Sequence, residues 1–328
     1  MERKKKISVV IPCLNEEENV EPMRDTLREI FAQLPQYELE ILFIDNFSTD
    51  NTRAILRRMA AEDRCVKAIF NARNFGTVRS PQHGLLQATG DAVIMMAADF
   101  QEPPALIPSM LAKWQEGAFV VMAVRERAME GWWMQSLRKS YYYLISKVSD
   151  VEQIRNFNGS SLLDRKVVEI IRQMDDPYPY FRGMLAEIGL PSARIPFVQP
   201  KRRAGRTKNN YMTLYDMAIT GITSHAKAPL RLMVFFGFIM AACSVAVAFG
   251  YLLYKLFNWE GFQLGLAPLV VGQFFINGII LIILGFMMEY IGSINMRLFK
   301  RPLVVELERI NFEQEHAAPE SADRMRAA

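Results

Sequence analysis

Two stretches without a single charged side chain constrain this chain more than any other feature. Residues 232–253 and 264–288 hold no Asp, Glu, Lys or Arg. As helices rising about 1.5 Å per residue, either would cross a hydrocarbon core of about 30 Å. One such run could be a core helix, but two separated only by residues 258–263 predict a hairpin across a bilayer. Basic residues flank the outer ends: Lys227 and Arg231 before the first run, Arg297, Lys300 and Arg301 after the second. The excess of positive charge on the cytoplasmic side of membrane proteins then places both ends, and both termini, in the cytoplasm. Residues 1–6 lead straight into a strand-like segment, so no cleavable signal is expected. Cys13, Cys65 and Cys243 are scattered, without CxxC spacing, which fits a reducing compartment.

The 328 residues are 51% apolar and 23% charged, which excludes a disordered chain, and three cysteines exclude a disulfide scaffold. Ahead of the apolar runs the sequence reads as a soluble α/β domain. Short apolar segments at 7–11, 40–44, 66–70, 92–96 and 119–124 predict strands, and 16–31 and 50–61 predict helices. Alternation of helices with strands that are apolar throughout argues for a parallel sheet covered on both faces. Ligands of such sheets bind beyond the carboxyl ends of the strands. That draws attention to Pro12-Cys13-Leu14-Asn15-Glu16, Asp45-Asn46-Phe47-Ser48, Arg73-Asn74-Phe75-Gly76 and Ala97-Ala98-Asp99-Phe100-Gln101. Arg125, after the fifth strand, lies on the same side. Neither GxGxxG nor GxxxxGK[ST] occurs, which argues against a dinucleotide enzyme or a P-loop NTPase.

Residues 194–208 carry six basic side chains (Arg194, Lys201, Arg202, Arg203, Arg206 and Lys208) and no acid. No base-stacking platform accompanies them, so nucleic acid is not the expected partner. A basic loop ahead of a bilayer suits anionic lipid headgroups, with 211–222 as an amphipathic interface helix. His83, His225 and His316 have no metal-like spacing and are expected to be structural or exposed. The aromatic residues around 132–133 and 141–143 are expected in core packing. The tail at 304–328 is acidic-leaning, lacks a core pattern beyond about Glu308 and is expected to be frayed or disordered.

The ordered set of VVIPCLNEEENV (9–20), DNFSTD (45–50), RNFG (73–76), ADFQEPP (98–104), LLDRKV (162–167), R-x-x-G-x-T-K (202–208) and EYIG (289–292) resembles the family 2 glycosyltransferases. More narrowly it resembles their polyprenyl-phosphate branch, the dolichyl-phosphate mannose synthase-like and undecaprenyl-phosphate sugar transferases. The resemblance implies a GT-A domain at 1–205, juxtamembrane interface helices at 206–228, two transmembrane helices at 229–300 and a cytoplasmic tail at 301–328. It implies inverting transfer of a sugar from a UDP- or GDP-linked donor to a polyprenyl phosphate, at the inner leaflet of the cytoplasmic membrane. On this basis Pro12, Leu14, Asn15, Glu16, Asp45, Arg73 and Ala98 would contact the nucleotide. Asp99 and Gln101 would hold Mg²⁺ or Mn²⁺. Asp99 and Arg125 would be catalytic, and Arg125, Ser160, Arg202, Arg206 and Lys208 would meet the lipid phosphate. A homo-oligomer is left open.

The sequence departs from the family pattern where acids are expected. The family's DxD is Ala97-Ala98-Asp99, a second acid after the second strand is Asn46, the polar residue after RNFG is Thr77, and the GDFRL segment becomes Asn158-Gly159-Ser160-Ser161-Leu162. Two readings follow. Asp99 and Gln101 could still serve an active enzyme, because an anionic acceptor needs no base. Alternatively, the chain is an impaired relative that binds nucleotide-sugar or lipid beside an active transferase.

Overall fold

The computed structural model describes residues 3–126, 157–176, 181–200, 228–257, 266–298 and 302–312. Among them, eight strands form one sheet: β1 Lys5–Cys13, β2 Tyr37–Asp45, β3 Val66–Asn71, β4 Ala92–Met95, β5 Val120–Arg125, β6 Phe157–Asp164, β7 Ser192–Phe197 and β8 Glu306–Ile310. Their order is β7-β5-β6-β4-β1-β2-β3-β8. β1 pairs in parallel with β2 and β4, β2 with β3, and β5 with β7. β6 runs antiparallel to β4 and β5, and β8 antiparallel to β3. The mostly parallel α/β sheet expected from the sequence is therefore present. The carboxyl ends of β1 to β5 open along one edge, and β1, flanked by β2 and β4, is where the chain reverses its direction of travel across the sheet.

Helices cover both faces because the central strands are apolar on both. Val9, Ile11 and Phe43 join Met23 and Leu27 of α1 (Val20–Ala32), Leu56 of α2 (Thr52–Glu62) and Met110 of α4 (Ile107–Gln115). On the other face Val10, Leu42 and Ile44 join Leu85 of α3 (Gly76–Gln87), Val167 and Val168 of α5 (Arg165–Met174) and Leu185 of α6 (Phe181–Ile188). Gly84 lets α3 lie close, since a Cβ there would come within 2.9 Å of Val10 Cγ1. The chain also forms two long helices, α7 (Ala228–Phe257) and α8 (Leu266–Leu298). Within α8, the window Phe275–Gly292 is long and apolar enough to cross a membrane, and none of it is buried inside the protein. The expected connection at 258–263 lies outside the described residues, as do 132–133, 141–143 and 211–222.

Three expectations are corrected. The first helix begins at Val20 and not at residue 16, because Asn15 adopts a left-handed backbone (φ 56°) and the chain turns before the helix starts. Arg194 does not belong to a loop, for it sits in β7, an edge strand among the described residues, where Pro196 is tolerated. The tail is not frayed from 304 onward. Glu306–Ile310 forms β8, Glu308 pairs with Arg57 at 2.7 Å, and Asn311 Nδ2 donates to the carbonyls of Ala60 and Val66. His83 is structural as expected, meeting Glu306 at 2.5 Å.

The opposite end of the sheet is secured by Glu40, which is 1% exposed. Its carboxylate accepts from Ser8 Oγ (2.6 Å), Thr89 N (2.9 Å) and Thr89 Oγ1 (2.7 Å), and meets Lys67 at 2.7 Å and Lys6 at 3.1 Å. Burial alone would raise its pKa; hydrogen bonds from Lys67, Ser8 and Thr89 outweigh burial and bring it from 4.5 to about 2. The ionised form is the one the fold favours, so this stabilisation is complete above about pH 4.5 and is lost as pH falls through about 2. Glu40→Gln should cost about 3 kcal/mol at pH 7. Chemical denaturation of both proteins between pH 7 and pH 3 should show the gap narrowing with acidity.

Candidate active site

The turns that follow β1 and β2 are laced to each other. Cys13 and Asp45 are register partners at the strand ends. Beyond them the Asn15 amide donates to Ser48 Oγ (2.8 Å), Glu16 N to Thr52 Oγ1 (2.9 Å) and Glu17 N to Asp50 Oδ2 (3.3 Å). In return Thr49 N donates to Asn15 Oδ1 (2.8 Å) and Asn51 N to Glu17 Oε2 (2.9 Å). Pro12, Leu14, Asn15 and Glu16 are thereby brought to one rim with Asp45. Cys13 beneath them is buried, and burial together with the carboxylates of Asp45, Glu16 and Asp50 raises its thiol pKa well above normal. That thiol is chemically quiet.

Asp45 is fully buried and already engaged. Ser48 N donates to both its carboxylate oxygens (3.1 and 3.2 Å), and Arg53 Nε donates at 2.6 Å. Arg53, which sequence reasoning did not single out, also donates to the Asn71 carbonyl and lies 5.0 Å from the Phe47 ring centre. Asp45 therefore holds the turn that presents Phe47, itself 41% exposed at φ 74°. Asn15, Phe47 and Phe100 account for three of the five non-glycine residues with positive φ among the described residues, and all three follow central strands at this rim. For bulky side chains that conformation is strained, and such strain concentrates at working sites.

Asn46 joins this rim to the segment after β3. Its Nδ2 donates to Asn74 Oδ1 (2.9 Å) and the Gly76 carbonyl (3.1 Å), and its Oδ1 accepts from Phe75 N (2.9 Å) and Asn71 Nδ2 (3.2 Å). An aspartate could accept but not donate, so the neutral amide here is the hub of the turn. Arg73 is exposed beyond it, with its guanidinium 4.1 Å from the Phe75 ring centre.

After β4 the chain supplies the acids. Asp99 is 5% exposed, and its Oδ1 accepts from Gln101 N at 3.2 Å, while Ala98 is buried at 2%. Glu102, a residue the sequence reading passed over inside its own ADFQEPP string, is 6% exposed and accepts from the Ala97 amide at 3.3 Å. Burial raises the Glu102 pKa to about 7; the Asp99 charge adds to the rise, while the Ala97 amide, Arg125 and Ser160 oppose it. Arg125, ending β5, donates to Gln199 Oε1 at 2.7 Å. Ser160 is 2% exposed, and its hydroxyl has no well-aligned hydrogen-bond partner among the described residues. The structure thus gathers Asp99, Gln101, Glu102, Arg125 and Ser160 at the ends of β4, β5 and β6. Ser160, expected at the lipid phosphate, stands beside the acids. Arg202, Arg206 and Lys208 lie outside the described residues.

Among the described residues no three His, Cys, Asp or Glu side chains could hold a metal by themselves. The local donors are nonetheless hard oxygens, of the kind Mg²⁺ and Mn²⁺ take when phosphate completes the coordination. The buried, unsatisfied Ser160 hydroxyl fits such a polar guest. Asn46→Asp should cost about 2–3 kcal/mol, since two donated bonds become contacts between a carboxylate and two oxygens. Chemical denaturation checks this; an unchanged midpoint would show that the Asn46 hub contributes little.

Residues 8–172 match the model of the family described as glycosyl transferase family 2. A prophage bactoprenol glucosyl transferase homolog of Escherichia coli (strain K12) is 36% identical over 299 residues, covering 90% of this chain and 97% of that protein. The SfII prophage-derived bactoprenol glucosyl transferase of Shigella flexneri is 34% identical over 298 residues, covering 90% and 96%. A more distant likeness is to the crystal structure of mannosyl-3-phosphoglycerate synthase from Rubrobacter xylanophilus, at 19% identity and a TM-score of 0.47 over 71% of this chain and 75% of that one. With half its length matched by the family model and nine-tenths by the bacterial relatives, the chain belongs to the family 2 glycosyltransferases.

Proposed function

We propose that the protein is a membrane-anchored, inverting transferase that moves a sugar from a UDP- or GDP-linked donor to a polyprenyl phosphate on the cytoplasmic leaflet. The carrying observation is the convergence of the laced β1 and β2 turns with Asp99, Gln101 and Arg125 on one edge of the sheet. Relatives named for bactoprenol glucosylation support the choice of acceptor. The uncharged runs of α7 and α8 support the anchor.

In this reading the nucleoside sits on the rim formed by Pro12, Leu14, Asn15 and Glu16, beside the turn held by Asp45 and the exposed Arg73. Its diphosphate lies over Ala98 and Asp99. A divalent cation, Mg²⁺ or Mn²⁺, held by Asp99 and Gln101, would supply positive charge against the departing nucleoside diphosphate. Arg125 adds fixed charge from the end of β5, with no reorganisation needed as charge develops. A phosphate monoester is anionic near neutral pH, so the acceptor oxygen needs no strong base. Its attack from the face opposite the leaving group inverts the anomeric centre. Arg202, Arg206 and Lys208, in the basic segment ahead of α7, would draw the lipid phosphate in.

Purified full-length protein should convert undecaprenyl phosphate to a glycolipid with one member of a panel of UDP- and GDP-sugars in Mg²⁺ or Mn²⁺. Asp99→Ala should reduce this at least 100-fold, as expected for losing a charge that acts on the leaving group. Absence of glycolipid and nucleotide release with every donor would favour the reading as a non-catalytic binding partner.

A further inference from the structure

Glu102 is a buried acid that the family resemblance did not assign. A left-handed residue, Phe100 (φ 59°), and the single 3-10 turn Pro104–Leu106 bend the chain around it. Its side chain is folded back over the end of β4, where Oε2 lies 3.3 Å from the Ala97 amide. We propose that Glu102 supplies the second carboxylate of the cation and diphosphate site, in the space an acid at position 97 would otherwise serve. This rests on the transferase reading above and adds a ligand to it.

Comparison with Glu40 in the same sheet sets Glu102 apart from an acid whose role is structural. Glu40 is buried and saturated, with two lysines, Ser8 and both the amide and hydroxyl of Thr89 around its carboxylate. Glu102 is buried to nearly the same degree, yet among the described residues its one well-defined donor is the Ala97 amide at 3.3 Å, with Ser160 and the charge of Arg125 as its other favourable neighbours. Burying a carboxyl without partners costs several kcal/mol unless something else compensates. A second observation points the same way. The Ser160 hydroxyl, 2% exposed and without a well-aligned hydrogen-bond partner among the described residues, lies beside Ser161, which pairs with Met95 at the end of β4. Asp99 is also close, and its charge opposes that of Glu102, a repulsion that Arg125 offsets in part and a bound divalent cation would relieve further.

Two carboxylates, the Gln101 amide and a hydroxyl form an all-oxygen donor set suited to a hard divalent cation with phosphate oxygens in the remaining positions. Alanine at 97 therefore leaves the site with its second acid, reached from five residues further along the chain. Glu102 is one methylene longer than an aspartate, which suits it to reach back across that turn.

The test measures Mn²⁺ affinity of the detergent-solubilised full chain by electron paramagnetic resonance, with UDP and with GDP. Glu102→Gln should weaken nucleotide-dependent Mn²⁺ binding at least tenfold, and Ala97→Asp added to that variant should recover most of the loss. Circular dichroism and thermal unfolding establish that both variants are folded. Equal Mn²⁺ affinity in wild type and Glu102→Gln overturns the assignment of Glu102 and leaves the transferase reading standing. Loss that Ala97→Asp fails to recover in a folded double variant overturns the shared placement. Wild-type protein that binds no Mn²⁺ with either nucleotide overturns the metal-dependent transferase reading itself.

Discussion

The exchange of hydrogen bonds between the turns after β1 and β2 is the interaction on which the site depends. Backbone amides of Asn15, Glu16 and Glu17 donate to side chains of the second turn, while amides of Thr49 and Asn51 donate to side chains of the first. Each turn has local bonds of its own, such as Ser48 N to Asp45 and Asn19 Nδ2 to Glu16, and the exchange fixes the two relative to each other. The parallel register of Cys13 with Asp45 brings them to the same height. Asn46 then extends the lattice to the segment after β3. The result is a rim whose backbone is held in strained conformations at Asn15 and Phe47 before any ligand arrives. Preorganisation of that kind lowers the ordering cost of binding.

A second constraint acts from the far end of the chain. After α8 the polypeptide returns to the sheet and adds β8 to the open edge of β3. Arg57 holds Glu308, His83 holds Glu306, Arg79 donates to the Pro302 carbonyl and Asn311 binds carbonyls around the end of α2. The two long apolar helices are thus an excursion from the sheet domain, tied to it on both sides in sequence. β8 also covers what would be an exposed edge of β3, a surface prone to pairing with other chains.

Much of this was legible because the central strands are apolar runs ending in turn-forming residues, and a parallel sheet with its site at the carboxyl edge follows from that pattern. What escaped was set by distant contacts. β8 reads as a charged tail because its alternation is inverted, with Leu307 63% exposed while Glu306 and Glu308 are partly buried. Arg57 and His83, more than 200 positions away, together with the local Arg309, explain why its acids turn inward. The start of α1 was misplaced because Asn15 suits a helix N-terminus as well as the left-handed conformation it adopts. Asp99 and Gln101 were singled out through a motif. Glu102 and Arg53, whose significance lies in burial and in the partners around them, were not. Asn46, which looked like a missing acid, is a hydrogen-bond donor that an acid could not replace.

The central claim is that a nucleotide-sugar is held by the turns after β1, β2 and β4. Hydrogen-deuterium exchange on the full-length protein, with and without a UDP- or GDP-sugar and Mn²⁺, tests it most directly. Slowed exchange concentrated at residues 14–17, 47–51 and 97–102 is the predicted result. Protection confined to other parts of the sheet domain, with these three turns unchanged, would contradict it.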